Sequence, residues 1–129
     1  MTRMTRKIAT FVVLMLVALC AFAGAASASP GAYNVLIAHS NAEPPTTFRN
    51  AIAAFPDVAR VDLFDTSSGT PTAAQLEAYD LVVSQSGDPA YQDQTAYGNA
   101  LADFYDHGGV VIQYAWDNDI NSDYAPLGR

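Results

Sequence analysis

Residues 34–38 read Asn-Val-Leu-Ile-Ala, and this uninterrupted apolar run of strand length decides the fold. A strand that is apolar on both sides needs cover on both sides, which is the environment of a central strand in a parallel sheet. Polar residues follow the run at once, namely His39, Ser40 and Asn41, and two prolines come next. We therefore predict a buried parallel strand that ends in polar side chains.

Three further short apolar runs lie downstream, and amphipathic segments separate them. The runs predict strands over residues 58–64, 81–83 and 110–114, and the first of these alternates apolar and polar residues as an edge strand does. The predicted helices begin at Thr46 or Thr47 as the cap, at Thr70 with Pro71 in the first turn, and near Asp93. This alternation predicts an α/β fold, a flavodoxin-like three-layer sandwich with a four-stranded parallel sheet in the order 2-1-3-4.

The N-terminus has the three parts of a secretory signal. Cations at Arg3, Arg6 and Lys7 precede an apolar run over residues 11–22, and small residues continue to Ala28. This order predicts cleavage after Ala28, a signal peptide over residues 1–28, and a secreted domain over residues 29–129 without a stable membrane anchor. The alternative is an uncleaved anchor, because residues 8–26 are long enough to cross a bilayer. Either topology places the domain outside the cytoplasm.

Cysteine usage and charge exclude several classes of function. The single cysteine, Cys20, lies inside the predicted signal, so the mature chain has no thiol for a disulfide, a nucleophile or a thiolate zinc site. The mature chain keeps only Arg49, Arg60 and Arg129 as cations against 13 acids, a formal net charge of −10. A surface this acidic repels phosphate backbones, and nucleic acid is therefore excluded as a partner.

Three stretches resemble a known superfamily: NVLIA at 34–38, PTAAQLEAYDLVV at 71–83 and YGNALADFYDHGGVVI at 97–112. The pattern is L-x-x-Y-D before a short apolar strand, then a helix that ends in D-x-G-G before another strand. The chain resembles the class I glutamine amidotransferase-like superfamily, and within it the ThuA-like (trehalose-utilization) and secreted amidotransferase-like domains. The residues that carry the pattern are Leu76, Tyr79, Asp80, Asp106, Gly108 and Gly109.

Two departures from this superfamily limit what the resemblance implies. Amidotransferases of the superfamily carry a catalytic cysteine at a sharp turn, and the corresponding turn near residues 113–115 has no thiol, which excludes that activity here. Domains of the superfamily are also usually longer. The chain is therefore interpreted as an N-terminal fragment of a longer domain, a truncated product or a minimal version.

A ligand site is expected where the strands end, because open α/β sheets bind ligands at the carboxyl ends of their strands. A nucleophilic set of His39, Asp65 and Ser84 is conceivable there, but no G-x-S-x-G motif is present and we predict no catalytic residue. The candidate ligand-binding residues are His39, Asn41, Asp65, Ser84, Gln85, Tyr114 and Trp116.

An acidic stretch near the C-terminus is the one candidate for a metal site. Asp117, Asp119, Asn121 and Asp123 alternate as D-x-D-x-N-x-D, and such oxygen ligands suit calcium. Ser122 and Gly128 replace the glycine and the glutamate that an EF-hand loop needs, so an EF-hand is excluded and a looser calcium site remains. We predict no other cofactor.

Two functional hypotheses follow from the sequence. The first is an exported, non-catalytic amidotransferase-like binding or scaffold domain with a cell-surface or carbohydrate partner. The alternative is a secreted hydrolase or carbohydrate-active enzyme that uses the strand-end residues, assisted by calcium. The missing thiol and the short sheet favour the first hypothesis.

Overall fold

A central strand, β1, organises the structure, a computed structural model that describes residues 31–115, 117 and 124–128. β1 pairs in parallel with β2 on one side and with β3 on the other, and β4 continues the sheet beyond β3. The predicted α/β fold and the strand order 2-1-3-4 are confirmed and are consistent with a flavodoxin-like fold. The strands are β1 Tyr33–His39, β2 Val58–Asp65, β3 Leu81–Ser86 and β4 Val110–Ala115, and the helices are α1 Thr46–Ala53, α2 Ala73–Leu76 and α3 Gln94–Asp106.

The two sides of the sheet carry separate apolar cores. On the first side, here called the α1 face, Val35 and Ile37 of β1 pack with Val61 and Val83, and Ile52 of α1 covers them. On the second side, the α3 face, a larger core contains Leu36 and Ala38 of β1 with side chains of α2 and α3. The apolar run that decides the fold thus alternates between two buried faces, as a central parallel strand must.

Two predicted helix starts are wrong. α1 begins at Thr46 with Pro45 as its cap residue, and neither Thr46 nor Thr47 makes a side-chain cap. α2 begins two residues after Pro71, because Thr72 forms a capping box with Gln75: the Gln75 amide donates to Thr72 Oγ1 at 3.3 Å and the Thr72 amide to Gln75 Oε1 at 2.9 Å. The reciprocal hydrogen bonds satisfy two backbone N–H groups, which a proline in the first turn does not do.

β3 is longer than its apolar core suggests. The predicted strand stops at Val83, but β3 continues through Ser84 and Gln85 to Ser86 and pairs with β4 over its whole length. Ser84 and Gln85 are therefore strand residues that point to opposite faces of the sheet, rather than neighbours in a loop.

The end of α3 depends on two glycines. Gly108 has φ +93°, the left-handed conformation that ends a helix, and His107 caps α3 through Nδ1, which donates to the Asp103 carbonyl at 2.7 Å. The next residue, Gly109, leaves no room for a side chain, because a Cβ there would overlap the Phe104 ring. α3 and β4 therefore join through a contact that only a glycine permits.

We expect Gly109→Ala to lower the free energy of unfolding by about 1–3 kcal/mol, because the added methyl group overpacks the core against Phe104. Gly69→Ala is the matched control, since a Cβ there meets the Phe64 ring at 3.6 Å, an ordinary van der Waals distance. Urea unfolding followed by circular dichroism measures both. Equal stability of the two variants would show that a side chain at position 109 does not clash with the Phe104 ring.

Two predictions about the N-terminus concern residues that the structure does not describe. The signal peptide over residues 1–28 and its cleavage after Ala28 fall in residues that the structure does not describe. Among the residues it does describe, no helix has the length and apolar composition needed to cross a membrane.

Candidate functional site

Buried polar atoms without a hydrogen-bond partner collect at one edge of the sheet. Within the described part of the chain there are six such side-chain atoms, and all belong to residues at or just beyond the carboxyl ends of the four strands. Native interiors contain few such atoms, and each calls for an explanation such as a bound water, ion or ligand. The atoms are His39 Nδ1, Asn41 Oδ1, Thr66 Oγ1, Gln85 Oε1, Ser86 Oγ and Asp117 Oδ2.

On the α1 face this edge brings together three of the predicted ligand-binding residues. His39 at the end of β1 is in register with Asp65 of β2 and Gln85 of β3. His39 is 3% exposed, and burial lowers the pKa of its imidazole, an effect that the Asp65 charge and a hydrogen bond to the Asn41 backbone partly oppose. The imidazole is therefore neutral near pH 7 and presents an unpartnered nitrogen.

Asp65 is held by its own loop rather than by His39. Its Oδ1 accepts from the Ser67 hydroxyl at 2.6 Å and the Ser67 amide at 2.9 Å, and its Oδ2 accepts from the Ser68 hydroxyl at 2.8 Å. The Ser67 side chain, followed by the Ser68 hydroxyl and the Ser67 amide, lowers the pKa of Asp65 against the opposing effect of partial burial. Asp65 is an exposed, ionised carboxylate whose oxygens already have donors.

Tyr114 borders the edge from β4. It is in register with Gln85, is 54% exposed, and stacks on Phe48 of α1 with the ring centroids 5.8 Å apart and the planes at 20°. This contact ties β4 to α1 across the α1 face. Trp116, the remaining candidate after β4, lies outside the described residues.

On the α3 face the same edge contains a buried cluster of hydroxyl groups and one carboxyl group. Tyr97 of α3 donates to Ser84 Oγ at 2.9 Å, and the hydroxyls of Ser84 and Tyr91 lie 3.2 Å apart. Tyr91 donates in turn to Asp117 Oδ1 in a very short hydrogen bond. The Tyr91 and Tyr97 rings also pack against each other, with centroids 4.9 Å apart. The loop before α3, α3 itself and the segment after β4 therefore meet on β3.

Burial dominates the acid–base properties of this cluster. It raises the pKa of Asp117, although the nearby Ser84, Tyr91 and Ser86 groups oppose the shift. Burial also raises the pKa values of Tyr91 and Tyr97, and the Asp117 charge adds to both shifts. Both phenols therefore stay protonated and act as hydrogen-bond donors at any physiological pH.

The conceivable nucleophilic set is not assembled. Ser84 is fully buried on the α3 face, whereas His39 and Asp65 point to the α1 face. The Ser84 hydroxyl already interacts with two tyrosines, and no hydrogen bond between His39 and Asp65 is found within residues 31–115. These three side chains are thus placed for binding or packing rather than for proton transfer to a serine.

The predicted calcium ligands are only partly covered by the description. Asp117 is 2% exposed and turns inward to Tyr91, while Asp119, Asn121 and Asp123 lie outside the described residues. In the part of the chain that is described, no three histidine, aspartate or glutamate side chains group together as metal ligands would. The calcium site stays a prediction.

Sequence reasoning missed most of the cluster on the α3 face. Helical spacing places Tyr97 on the apolar side of α3 with Leu101 and Phe104, which accounts for its buried ring but does not reveal the hydrogen bond of its hydroxyl group. Ser84 and Ser86 alternate along a strand that the structure buries, and this alternation was the available signal. The sequence contains no such signal for Tyr91, because its position in a loop does not reveal that the ring is buried.

Comparison with models of protein families, with curated proteins and with solved structures finds no match for this chain. The resemblance to amidotransferase-like domains therefore stays a prediction from the quoted motifs.

We expect Asp117→Asn to gain stability relative to the wild type as the pH rises. The folded-state pKa of Asp117 lies above its unfolded value, so its contribution to stability is complete at low pH and is lost as the pH rises through the folded pKa. Asparagine stays neutral, and the difference in unfolding free energy should change by at most about 1.4 kcal/mol per pH unit. Urea unfolding from pH 4 to pH 8 measures it. Glu77→Gln, a carboxyl-to-amide change at an exposed position, is the matched control, and a flat difference for Asp117→Asn would contradict the assignment.

We expect the wild type to lose stability as the pH falls below neutrality, and we expect the His39→Gln variant to lose less. The folded-state pKa of His39 lies below 6.5, so the wild type is stabilised above this pH and loses stability as the pH falls towards the folded value. Between pH 7 and pH 5 the wild type should lose up to about 1.4 kcal/mol per pH unit more than the variant. Thermal unfolding across this range tests it, with His107→Gln at the exposed helix end as the control. Parallel pH curves for wild type and His39→Gln would refute it.

Proposed function

We propose that this chain is an exported, non-catalytic binding or scaffold domain of amidotransferase-like type, which binds its ligand at the carboxyl edge of the sheet between β1 and β3. The observation that carries the proposal is that three buried polar atoms without a hydrogen-bond partner, those of His39, Asn41 and Gln85, lie together at the ends of β1 and β3. β1 and β3 flank the point where the chain reverses its direction across the sheet, and open α/β sheets bind ligands at such a switch point.

The energetics favour an occupied edge. A buried donor or acceptor without a partner costs about 1–3 kcal/mol, and His39, Asn41 and Gln85 each carry one such atom at the ends of two adjacent strands. These atoms are buried, so a ligand reaches them only by displacing the residues above them, and the hydrogen bonds that it then donates recover part of that cost. Ligand binding at this edge therefore stabilises the folded protein by satisfying buried polar atoms that the packing of the domain leaves without partners.

The chemistry of the edge favours a neutral ligand rich in hydroxyl groups. Asn41 and Gln85 offer amide oxygens and His39 offers a neutral imidazole nitrogen, all of which can accept hydrogen bonds. The chain carries a formal charge of −7 even with its basic leader, and its acidic surface disfavours anions. A carbohydrate, free or on a cell surface, fits both requirements.

The placement of the polar groups supports binding over catalysis. Ser84 points to the opposite face, and Asp65 is saturated by Ser67 and Ser68. Among the described residues, no arrangement of side chains favours the alternative of a secreted hydrolase. A binding domain requires only that the edge recognise its ligand.

We expect Gln85→Leu to stabilise the free protein and to abolish ligand binding. Leucine removes a buried acceptor that lacks a partner, so the free energy of unfolding should rise by about 1 kcal/mol. The wild-type melting temperature should rise with a saturating dose of one member of a panel of neutral sugars, namely trehalose, maltose, cellobiose and chitobiose. The variant should melt at a higher temperature than the free wild type and should not respond to that sugar.

Gln113→Leu provides the matched control, because Gln113 is an exposed glutamine on β4 that points to the other face of the sheet. This variant should keep the sugar response of the wild type. A wild type that none of the four sugars stabilises at 10 mM, or a Gln85→Leu variant that still responds, would overturn the proposal for carbohydrate binding at this edge.

A further inference from the structure

The two faces of the sheet are covered unequally. The α3 face carries α2 and the 13-residue helix α3, whereas on the α1 face the described residues supply only the eight-residue helix α1. α1 packs mainly on β2, at one side of the sheet, and reaches β4 through the stack of Phe48 on Tyr114. A helix is about 10 Å wide and neighbouring strands are about 4.8 Å apart, so one helix covers roughly two strands. The described residues thus leave an empty position, about one helix wide, over β3 and β4, which the Phe48–Tyr114 stack spans at the carboxyl end of β4.

An apolar groove of about 510 Å³ marks this empty position. Val110, Ile112 and Tyr114 project into it from β4, and Phe48 and Phe55 border it from α1 and the residues after it. Several of these side chains are half exposed: Phe55 63%, Tyr114 54%, Val110 54% and Ile112 48%. Parallel sheets are normally covered on both faces, and contiguous apolar patches of this kind mark interaction sites.

The outer surface of α1 is itself suited to burial. No residue of α1 is buried in the domain, and the helix carries no carboxylate although the chain has 13. Its one charged side chain, Arg49, is engaged with the Val61 carbonyl at 3.0 Å. Ala51 and Ala53 are small and exposed, and Ala51 lies at helical spacing between Phe48 and Phe55. The other exposed side chains of the helix, Thr46, Thr47 and Asn50, are short and uncharged, so another sheet can approach the helix closely.

We propose that two copies of this chain pair through their α1 faces, so that α1 of each copy fills the empty position over β3 and β4 of the other. A two-fold axis that runs along the strands produces this arrangement, because it exchanges the covered and the uncovered halves of the two faces. The interface is isologous and closes on itself, as homodimer interfaces do. The two α1 helices then form one layer between two sheets.

The exposed apolar area of such a pair approaches the lower size limit of a stable interface. Tyr33, Phe48, Phe55 and Tyr114 expose between 36% and 63% of their surfaces. Aromatic side chains bury about 150–250 Å² each, so these four supply about 400 Å² per copy. Val110, Ile112 and the outer side of α1 add to this area, which brings the pair towards the ~1,200 Å² at which stable interfaces begin.

The groove itself is almost free of charged side chains, so it can be buried at little electrostatic cost. Asp80 is the one charged residue that lines the groove among those described, and it accepts hydrogen bonds from the Asn34 amide at 2.8 Å and the Asn34 side chain at 3.4 Å. Acidic residues on the rest of the surface repel between copies, and salt screens this repulsion. Pairing should therefore strengthen as the salt concentration rises.

The test is the mass of the exported protein in solution. The full chain is expressed with its own N-terminus, collected after export, and measured by light scattering and sedimentation from about 1 to 200 µM, the range that suits an interface near the lower size limit. We expect the mass to rise from that of one chain to that of two as the protein concentration increases. The concentration at which half of the protein is dimeric should be lower in 0.5 M than in 0.05 M sodium chloride. A protein that stays monomeric at 200 µM in both salts overturns the proposal, and the groove is then free for residues 11–22 or for a different protein.

Two variants locate the interface. Ile112→Glu places a charge in the groove, and Ala51→Glu places one on the exposed side of α1, where unfolding is not expected. Both should stay monomeric at 200 µM and keep the circular dichroism of the wild type. Gln113→Glu adds the same charge to the same strand on the opposite face and should pair as the wild type does. Pairing of Ala51→Glu at the wild-type concentration, or loss of pairing in Gln113→Glu, would show that the copies meet elsewhere and would overturn the proposal.

Discussion

Parallel pairing of β1 on both edges is the constraint on which the rest of the structure depends. Parallel neighbours require crossover connections, and right-handed crossovers fix the side of the sheet on which each helix lies. The first crossover moves from β1 to β2 in one direction and therefore places α1 on one face. The next two move in the other direction and place α2 and α3 on the opposite face. The unequal cover of the sheet follows from this connectivity.

The same constraint concentrates polar chemistry at one edge. All four strands point the same way, so the loops that follow them meet at their carboxyl ends, and each loop contributes polar side chains there. On the α1 face this produces the neutral imidazole of His39 beside Gln85. On the α3 face it produces the carboxyl group of Asp117 beneath Tyr91. One face of the edge thus offers acceptors towards the helix α1, and the other is filled by hydrogen-bonded hydroxyl groups.

The sequence predicted what depends on periodicity and missed what depends on tertiary contacts. The apolar run of β1, the alternation in β2 and the glycine after α3 predicted the strand order and the end of the helix, because local patterns control them. The predicted starts of α1 and α2 were wrong because the loop before each helix determines which of the neighbouring threonines and prolines becomes the cap residue. Ser84 and Gln85 were both assigned to one site, whereas their positions within a longer β3 send them to opposite faces. The role of Tyr91 depends on the segment after β4, which no local pattern reveals.

The central claim is that the described residues cover one half of the α1 face and that a second copy of the chain covers the other half. Hydroxyl-radical footprinting of the tyrosines, read by peptide mass spectrometry at low and high protein concentration, tests it most directly. The account predicts that Tyr97, which is 1% exposed, resists labelling throughout, whereas Tyr33 and Tyr114 are labelled in dilute solution and protected in concentrated solution. Protection of Tyr33 and Tyr114 equal to that of Tyr97 in dilute solution would contradict the account, because the chain would then cover its own sheet.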